Sequence, residues 1–257
     1  MIIEPWCEMA PVWPHRGETS RPIAALEPSI RALLPAERTI KSWRRAALAA
    51  KPGGLRPELP AIGQMLVVLH DELSLYPVTF IQRIQLRQIV LSRNVEGRGE
   101  EIAAAHADVV NATMRCDAEC VAISGREFAR SCVHHELFHF FDHWCCNRLL
   151  EDDEWTDLNS ADFAYGKRRK MRFLAFLSIL PRGFVTEYAT SAMEEDKAEL
   201  FALMVASPLL VDQLGRTDEI IRAKVQLLKM RLDKSFPAMA QDFWEAAAAR
   251  HDEPAAD

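Results

Sequence analysis

Most of the chain shows apolar residues at helical spacing, and one short part shows strand-like alternation. Helical periodicity covers five stretches: 61–74, 126–150, 191–206, 217–232 and 237–250. Residues 85–93 alternate between apolar and polar and predict a strand, and 107–115 and 119–124 predict two more. A few strands followed by mostly helices indicate an α+β fold.

The first 60 residues differ from the rest. They are rich in proline, contain Pro52-Gly53-Gly54, and show one helical stretch at 37–50. We therefore predict two parts: a segment at 1–60, extended or partly helical, and a folded domain at 61–257. Within that domain, 94–106 and 151–170 lack periodicity and predict loops, and a long loop inside a compact domain is often functional.

Composition narrows the class of protein. The 257 residues carry a net charge of −6, which argues against general nucleic-acid binding because that depends on clustered basic residues. The chain begins without a basic start and unbroken apolar run, and it has no uninterrupted apolar stretch of membrane-spanning length. We expect a cytoplasmic protein with no membrane partner, and export by another route stays open. The six cysteines form no C-x-x-C pair and predict free thiols.

The most informative stretch is CVHHELFHFFDHW at 132–144, which contains the pattern H-E-x-x-H at 135–139. Residues four apart lie on one face of a helix, so His135 and His139 can reach one zinc ion. Glu136 lies beside that face, where it can take a proton from water. The alternative is a core helix whose histidines are paired with carboxylates, because buried polar groups need partners.

A catalytic zinc needs a third protein ligand, and three places in the chain offer one. His143 lies two turns beyond His135, too far along a straight helix to share the ion easily. Asp162 stands in a D-x-x-Y-G stretch, part of the motif that carries the third ligand in aspzincin peptidases. Glu195 and Glu199 are four apart at the start of a helical segment. One of them can bind the ion while the other orients a ligand histidine. A solvated acidic first turn is the simpler reading of that segment.

Taken together, the two segments resemble the gluzincin metallopeptidases, in particular the lethal-factor-like branch and related bacterial zinc-binding peptidases. The first resembling segment is H-E-L-F-H at 135–139 with Asp142. The second fits at these positions: Thr186, Tyr188, Ala189, Glu195, Asp196, Ala198, Glu199 and Phe201. The resemblance implies a mostly helical zincin-like domain with a small sheet beside the H-E-x-x-H helix.

The resemblance also implies roles for individual residues. It makes His135, His139 and Glu195 the zinc ligands and Glu136 the general base. Tyr188 would stabilise the oxyanion, and Glu199 and Asp142 would support the ligands from behind. The implied function is zinc-dependent hydrolysis of peptide bonds in a peptide or protein substrate, bound along the edge of the strand at 85–93 or 119–124.

Two other functions stay open from the sequence. One is a binding or regulatory protein that keeps zinc for stability. The other is a protease delivered to a partner cell, which shares the chemistry and differs in destination. The sequence specifies neither the substrate nor the oligomeric state.

Overall fold

A computed structural model describes residues 59–96, 102–166, 180–237 and 240–252 of the chain. The helices are α1 (Leu59–Leu73), α2 (Val78–Arg83), α3 (Cys120–Ser124), α4 (Arg126–Phe141), α5 (Asp153–Thr156), α6 (Met193–Ala206), α7 (Pro208–Thr217), α8 (Glu219–Ser235) and α9 (Ala240–Asp252). The strands are β1 (Gln88–Ser92), β2 (Val95–Glu96), β3 (Ile102–Ala103), β4 (Ala105–Asp108) and β5 (Thr113–Asp117). The predicted α+β fold, mostly helical with a small sheet, is confirmed.

The sheet has three strands in the order β1-β5-β4. Strand β1 pairs with β5 in parallel, and β4 pairs with β5 in antiparallel fashion through a tight connection at 109–112. Strands β2 and β3 form a separate two-stranded ribbon. The side of the sheet that carries Ile89, Leu91 and Met114 is buried in the core. Helix α4 packs against β4, so the sheet lies beside the helix that carries H-E-x-x-H.

Helix α4 runs through the centre of the described structure. Every residue from Val133 to Phe141 is buried, and the apolar ones belong to one continuous core with α1 and α6. A helix buried on all sides must find partners for its polar residues inside the protein. In α4 these partners come from two directions: α1 supplies them for His134, and α6 supplies them for His135.

Several boundaries differ from the predictions. The predicted strand at 119–124 is wrong, because this stretch forms helix α3. The Asp117 carboxylate accepts hydrogen bonds from the backbone N–H groups of Asn94 and Glu119, and this turn ends the strand just before the helix. A short apolar run fits a buried strand and a buried helix equally well, so its periodicity cannot decide between them.

Two further stretches differ from the predictions. The predicted strand at 107–115 covers the end of β4, the turn at 109–112 and the start of β5, and the predicted loop at 94–106 holds β2, β3 and the start of β4. Helices α2, α5 and α7 were not predicted, and α5 lies in the predicted loop at 151–170. The stretches at 61–74, 191–206, 217–232 and 237–250 correspond to α1, α6, α8 and α9. The helix predicted at 126–150 is α4 followed by a π-helical turn, Asp142–Cys146, which ends at Asn147 with a φ of 54°.

The predicted N-terminal segment at 1–60 lies almost entirely outside the described residues, so its expected helix at 37–50 stays a prediction.

The five cysteines within the described residues are free thiols, as expected. No single described helix has the length and apolar character to cross a membrane; α6 and α7 meet both conditions only as a pair, bent by 120°.

Candidate metal centre

Three side chains from two helices converge at one point in the core. His135 and His139 lie one turn apart on α4, and Glu195 lies in the first turn of α6. His135 Nε2 is 3.1 Å from His139 Nε2 and 3.0 Å from Glu195 Oε2, and the remaining pair of atoms is 3.5 Å apart. All three residues are buried, and together they form a group that can hold a metal ion.

The spacing of these atoms can be compared with the geometry that zinc requires. Zinc–nitrogen and zinc–oxygen bonds of about 2.0–2.2 Å at tetrahedral angles place neighbouring ligand atoms about 3.3–3.6 Å apart. The observed distances of 3.0 to 3.5 Å are at or slightly below this range. Zinc therefore fits these three ligands with shifts of a few tenths of an ångström.

The far side of His135 is held by Glu199, one turn beyond Glu195. His135 Nδ1 is 2.7 Å from Glu199 Oε1, and the Thr186 hydroxyl donates to the other oxygen of Glu199 at 2.8 Å. When Nδ1–H donates to Glu199, the lone pair of Nε2 faces the Glu195 carboxylate. Two electron-rich atoms at that distance need a cation between them, which is either a proton or a metal ion.

The hydrogen bonds in this group shift the pKa values of His135 and Glu195 in opposite directions, and each shift favours the charged form of the side chain. Burial lowers the pKa of His135, but its hydrogen bonds to Glu195 and Glu199 outweigh burial and raise it well above its usual value. Burial raises the pKa of Glu195, but its hydrogen bonds to His135 and His139 reverse that effect and lower it far below the usual range. The group therefore holds the ionised carboxylate of Glu195 beside a position of positive charge.

Glu136 and Tyr188 lie beside these ligands. Glu136 is buried, with 7% of its surface exposed. The Tyr188 ring centre is 6.1 Å from that of His135. Burial and the nearby carboxylates of Glu195 and Glu136 raise the pKa of Tyr188, so its hydroxyl stays protonated and able to donate.

The structure places the other candidate residues elsewhere. Asp162 is exposed, and His143 packs its ring edge-on against Trp144; neither joins the metal-binding group found among the described residues. His134 faces away from the group and bonds to Tyr76 and Glu72 on α1. Asp142 forms an ion pair with Lys197 at 2.5 Å, so it links the turn after α4 to α6.

Sequence reasoning gave no role to the residues that hold this group in place. The Asp196 carboxylate, next to Glu195, accepts hydrogen bonds from Trp155, Tyr165 and Lys224. Asp196 and Lys197 are buried despite lying in an acidic first turn, so the solvated reading of that turn is wrong. A lysine at 224 within an amphipathic helix gives no local signal of this role, because its partner lies 28 residues away.

Fold and site together define a helical α+β domain with a buried His-His-Glu group. No protein-family model matches the chain, and no curated protein matches it. One solved structure is similar: the crystal structure of a putative zinc-binding metallo-peptidase from Bacteroides caccae. The match has a TM-score of 0.59 at 15% identity, and it covers 93% of this chain and 95% of that chain. At this level of identity the two proteins share a fold.

Proposed function

We propose that the chain is a zinc-dependent metallopeptidase in which His135, His139 and Glu195 bind the metal ion. The observation that carries this proposal is the convergence of their three ligand atoms within 3.5 Å of one another in the core. The similarity in fold between this chain and a protein described as a putative zinc-binding metallo-peptidase supports the same conclusion. A site with three protein ligands leaves one position for water or substrate, which is typical of catalytic zinc.

The chemistry divides between the metal and the side chains around it. Zinc held by His135, His139 and Glu195 would polarise the carbonyl of a peptide bond and make water more acidic. Glu136 accepts the proton of the attacking water and passes it to the leaving nitrogen. Tyr188 donates a hydrogen bond to the carbonyl oxygen as negative charge develops there, and its raised pKa keeps the proton on the hydroxyl. Glu199 fixes the His135 ring, with its own position set by Thr186.

An extended peptide is the expected substrate, bound by pairing with an edge strand. The stretch at 119–124 cannot serve, because it is helical. Strands β1 and β4 are the edges of the described three-stranded sheet, and β4 also packs against α4, which carries the proposed ligands.

The experiment that tests this proposal measures zinc per chain by elemental analysis. We expect about one zinc in the wild type and in Asp162→Ala, whose exposed side chain makes it the matched control, and none in Glu195→Ala. A wild type that takes up no zinc on addition would contradict the metal site. Loss of zinc in Asp162→Ala with retention in Glu195→Ala would show that Asp162 is the third ligand and Glu195 is not.

Glu136→Gln separates a peptidase from a protein that keeps zinc for stability. This variant should hold zinc like the wild type and lose hydrolysis of labelled casein by about two orders of magnitude or more. If it retains zinc and the wild-type rate, Glu136 is not the base. If the zinc-loaded wild type cleaves no peptide and Glu136→Gln keeps its biological effect, the non-catalytic alternative is favoured.

A further inference from the structure

Lys224 is a fully buried lysine on α8 that does not contact the proposed ligands. Its ammonium group donates to Asp196 Oδ2 at 2.7 Å and to the backbone carbonyl of Gly183 at 2.8 Å. It also lies over the rings of Phe184, at 4.1 Å, and Trp155, at 5.2 Å. These contacts join α8 to three separate parts of the chain.

Asp196 is the common acceptor in this cluster. The same Oδ2 atom accepts from Trp155 Nε1 at 2.9 Å and from the Tyr165 hydroxyl at 2.6 Å. The Tyr165 hydroxyl in turn accepts from the Asn159 amide at 2.9 Å. The cluster therefore ties the loop at 155–166 to the first turn of α6, at the residue that follows Glu195.

Both backbone polar groups of Gly183 are hydrogen-bonded to side chains. Its carbonyl binds Lys224, and its N–H donates to Asp218 Oδ2 at 2.7 Å. Its φ is +89°, and a Cβ at this position would lie 2.5 Å from Cγ2 of Ile220. This position therefore requires glycine, both for its left-handed backbone and for its close approach to α8.

The segment that begins at Gly183 carries two side chains of the candidate site. Thr186 donates to Glu199, and Tyr188 lies beside His135. The Thr186 hydroxyl also accepts from the N–H of Ala189, which closes the turn that presents Tyr188. A shift at Gly183 would therefore be transmitted over a few residues to both side chains.

We propose that Lys224 is a positioning residue: its bond to the Gly183 carbonyl fixes the segment 183–191, and so places Tyr188 and Thr186 against the metal-binding group. The expected effect of Lys224 on catalysis rests on the proposed function, whereas its effect on the structure of the segment 183–191 does not. A buried ion pair is a weak source of stability compared with apolar packing, so its presence favours a role in geometry.

The test uses two variants and one matched control. Lys224→Met combined with Asp196→Asn removes both charges, keeps an oxygen for Trp155 and Tyr165, and avoids a lone buried charge. Gly183→Ala disturbs the same anchor without touching either charge. The control is Arg231→Met, which removes another buried cation from α8; its partner Asp152 keeps its contacts with Lys197 and Arg148.

The first measurement is amide hydrogen exchange of the full chain by mass spectrometry, and it does not depend on zinc. Exchange in peptides covering 183–191 should rise by about tenfold or more in both variants, with 126–141 unchanged. Arg231→Met should leave 183–191 as in the wild type. Wild-type exchange in the double variant, or an equal rise in Arg231→Met, would overturn the proposal.

The second measurement is hydrolysis of fluorescein-labelled casein by the zinc-loaded proteins. Both variants should keep about one zinc per chain and lose about tenfold or more in kcat, with KM changed by less than about twofold. An unchanged kcat despite the faster exchange would show that Lys224 does not position Tyr188 for catalysis. A wild type that holds no zinc and cleaves nothing would refute the proposed function, and the exchange data would still decide whether Lys224 fixes the segment.

Discussion

At the scale of single residues, His135 shows how a buried histidine acquires a defined orientation. Glu199 contacts its Nδ1 atom, while Glu195 and His139 lie at its Nε2 atom. A carboxylate behind a ligand histidine fixes the tautomer and raises the basicity of the ligand nitrogen. Glu199 should therefore act on the metal through His135, although it is not itself among the three convergent ligands.

We predict that Glu199→Gln lowers zinc affinity by about 10- to 100-fold, because an amide supports His135 less well than a carboxylate. Competition with a chromophoric zinc chelator measures the change. Glu187→Gln is the matched control, since Glu187 is exposed and should leave affinity unaltered. Equal affinities for Glu199→Gln and the wild type would show that Glu199 does not support the ligand.

At the scale of elements, α1 and α4 are joined by a second buried polar cluster on the face of α4 opposite the site. Burial lowers the pKa of His134, so its neutral ring donates to Glu72 and accepts from Tyr76. Arg130 forms an ion pair with the other oxygen of Glu72 at 2.7 Å. These contacts fix the rotation of α4 about its axis, and hence the direction in which His135 and His139 point.

We predict that this cluster contributes stability that depends on pH. Burial raises the pKa of Glu72, but the hydrogen bond to His134 and the charges of Arg130 and Arg250 reverse that effect and lower it from 4.5 to about 2. A lowered pKa means that ionised Glu72 stabilises the fold above pH 4.5. This contribution, about 3 kcal/mol at most, is lost as the pH falls from 4.5 to about 2.

Urea unfolding at a series of pH values measures this effect. The wild type should lose more stability than Glu72→Gln across that window, because the amide does not titrate. Parallel loss of stability in the two proteins would show that Glu72 does not carry the effect. The quantity compared is the slope of the unfolding free energy against pH in each protein, because other carboxylates titrate in both.

At the scale of the whole molecule, the candidate site joins helices that are far apart in sequence. Helices α4 and α6 supply its ligands, and the residues at 142–192 lie between them. The Asp142–Lys197 pair joins the turn after α4 to α6, and the Asp196 cluster joins α6 to α8 and to residues 155–166. A metal ion held by both helices would therefore stabilise the folded state as a whole.

We predict that zinc raises the melting temperature of the metal-free protein. At 100 times its Kd, a ligand that binds only the folded state adds about 2.7 kcal/mol, which corresponds to about 5–10 °C for a domain of this size. Differential scanning calorimetry with and without zinc measures the shift. Glu195→Ala should show little or none of it, and Asp162→Ala should show all of it. A full shift in Glu195→Ala would place the metal elsewhere.

Patterns that repeat along the chain determined the long helices and the pair His135 and His139, because helical periodicity places residues four apart on one face whatever surrounds them. The same local information could not separate a strand from a helix at 119–124, where the turn made by Asp117 decided the outcome. From the residues alone, His143, Asp162 and the pair Glu195 and Glu199 stayed open as third ligands, and only the resemblance to a known family favoured Glu195.

The tertiary structure decided which groups meet. It brought Glu195 and Glu199 to His135, paired Asp142 with Lys197, and buried Lys224 against Gly183 and Asp196. Each of these contacts joins residues from different elements, and their partners are set by the packing of α4, α6 and α8 in the core. Periodicity describes how one element folds, whereas a binding site depends on how several elements pack.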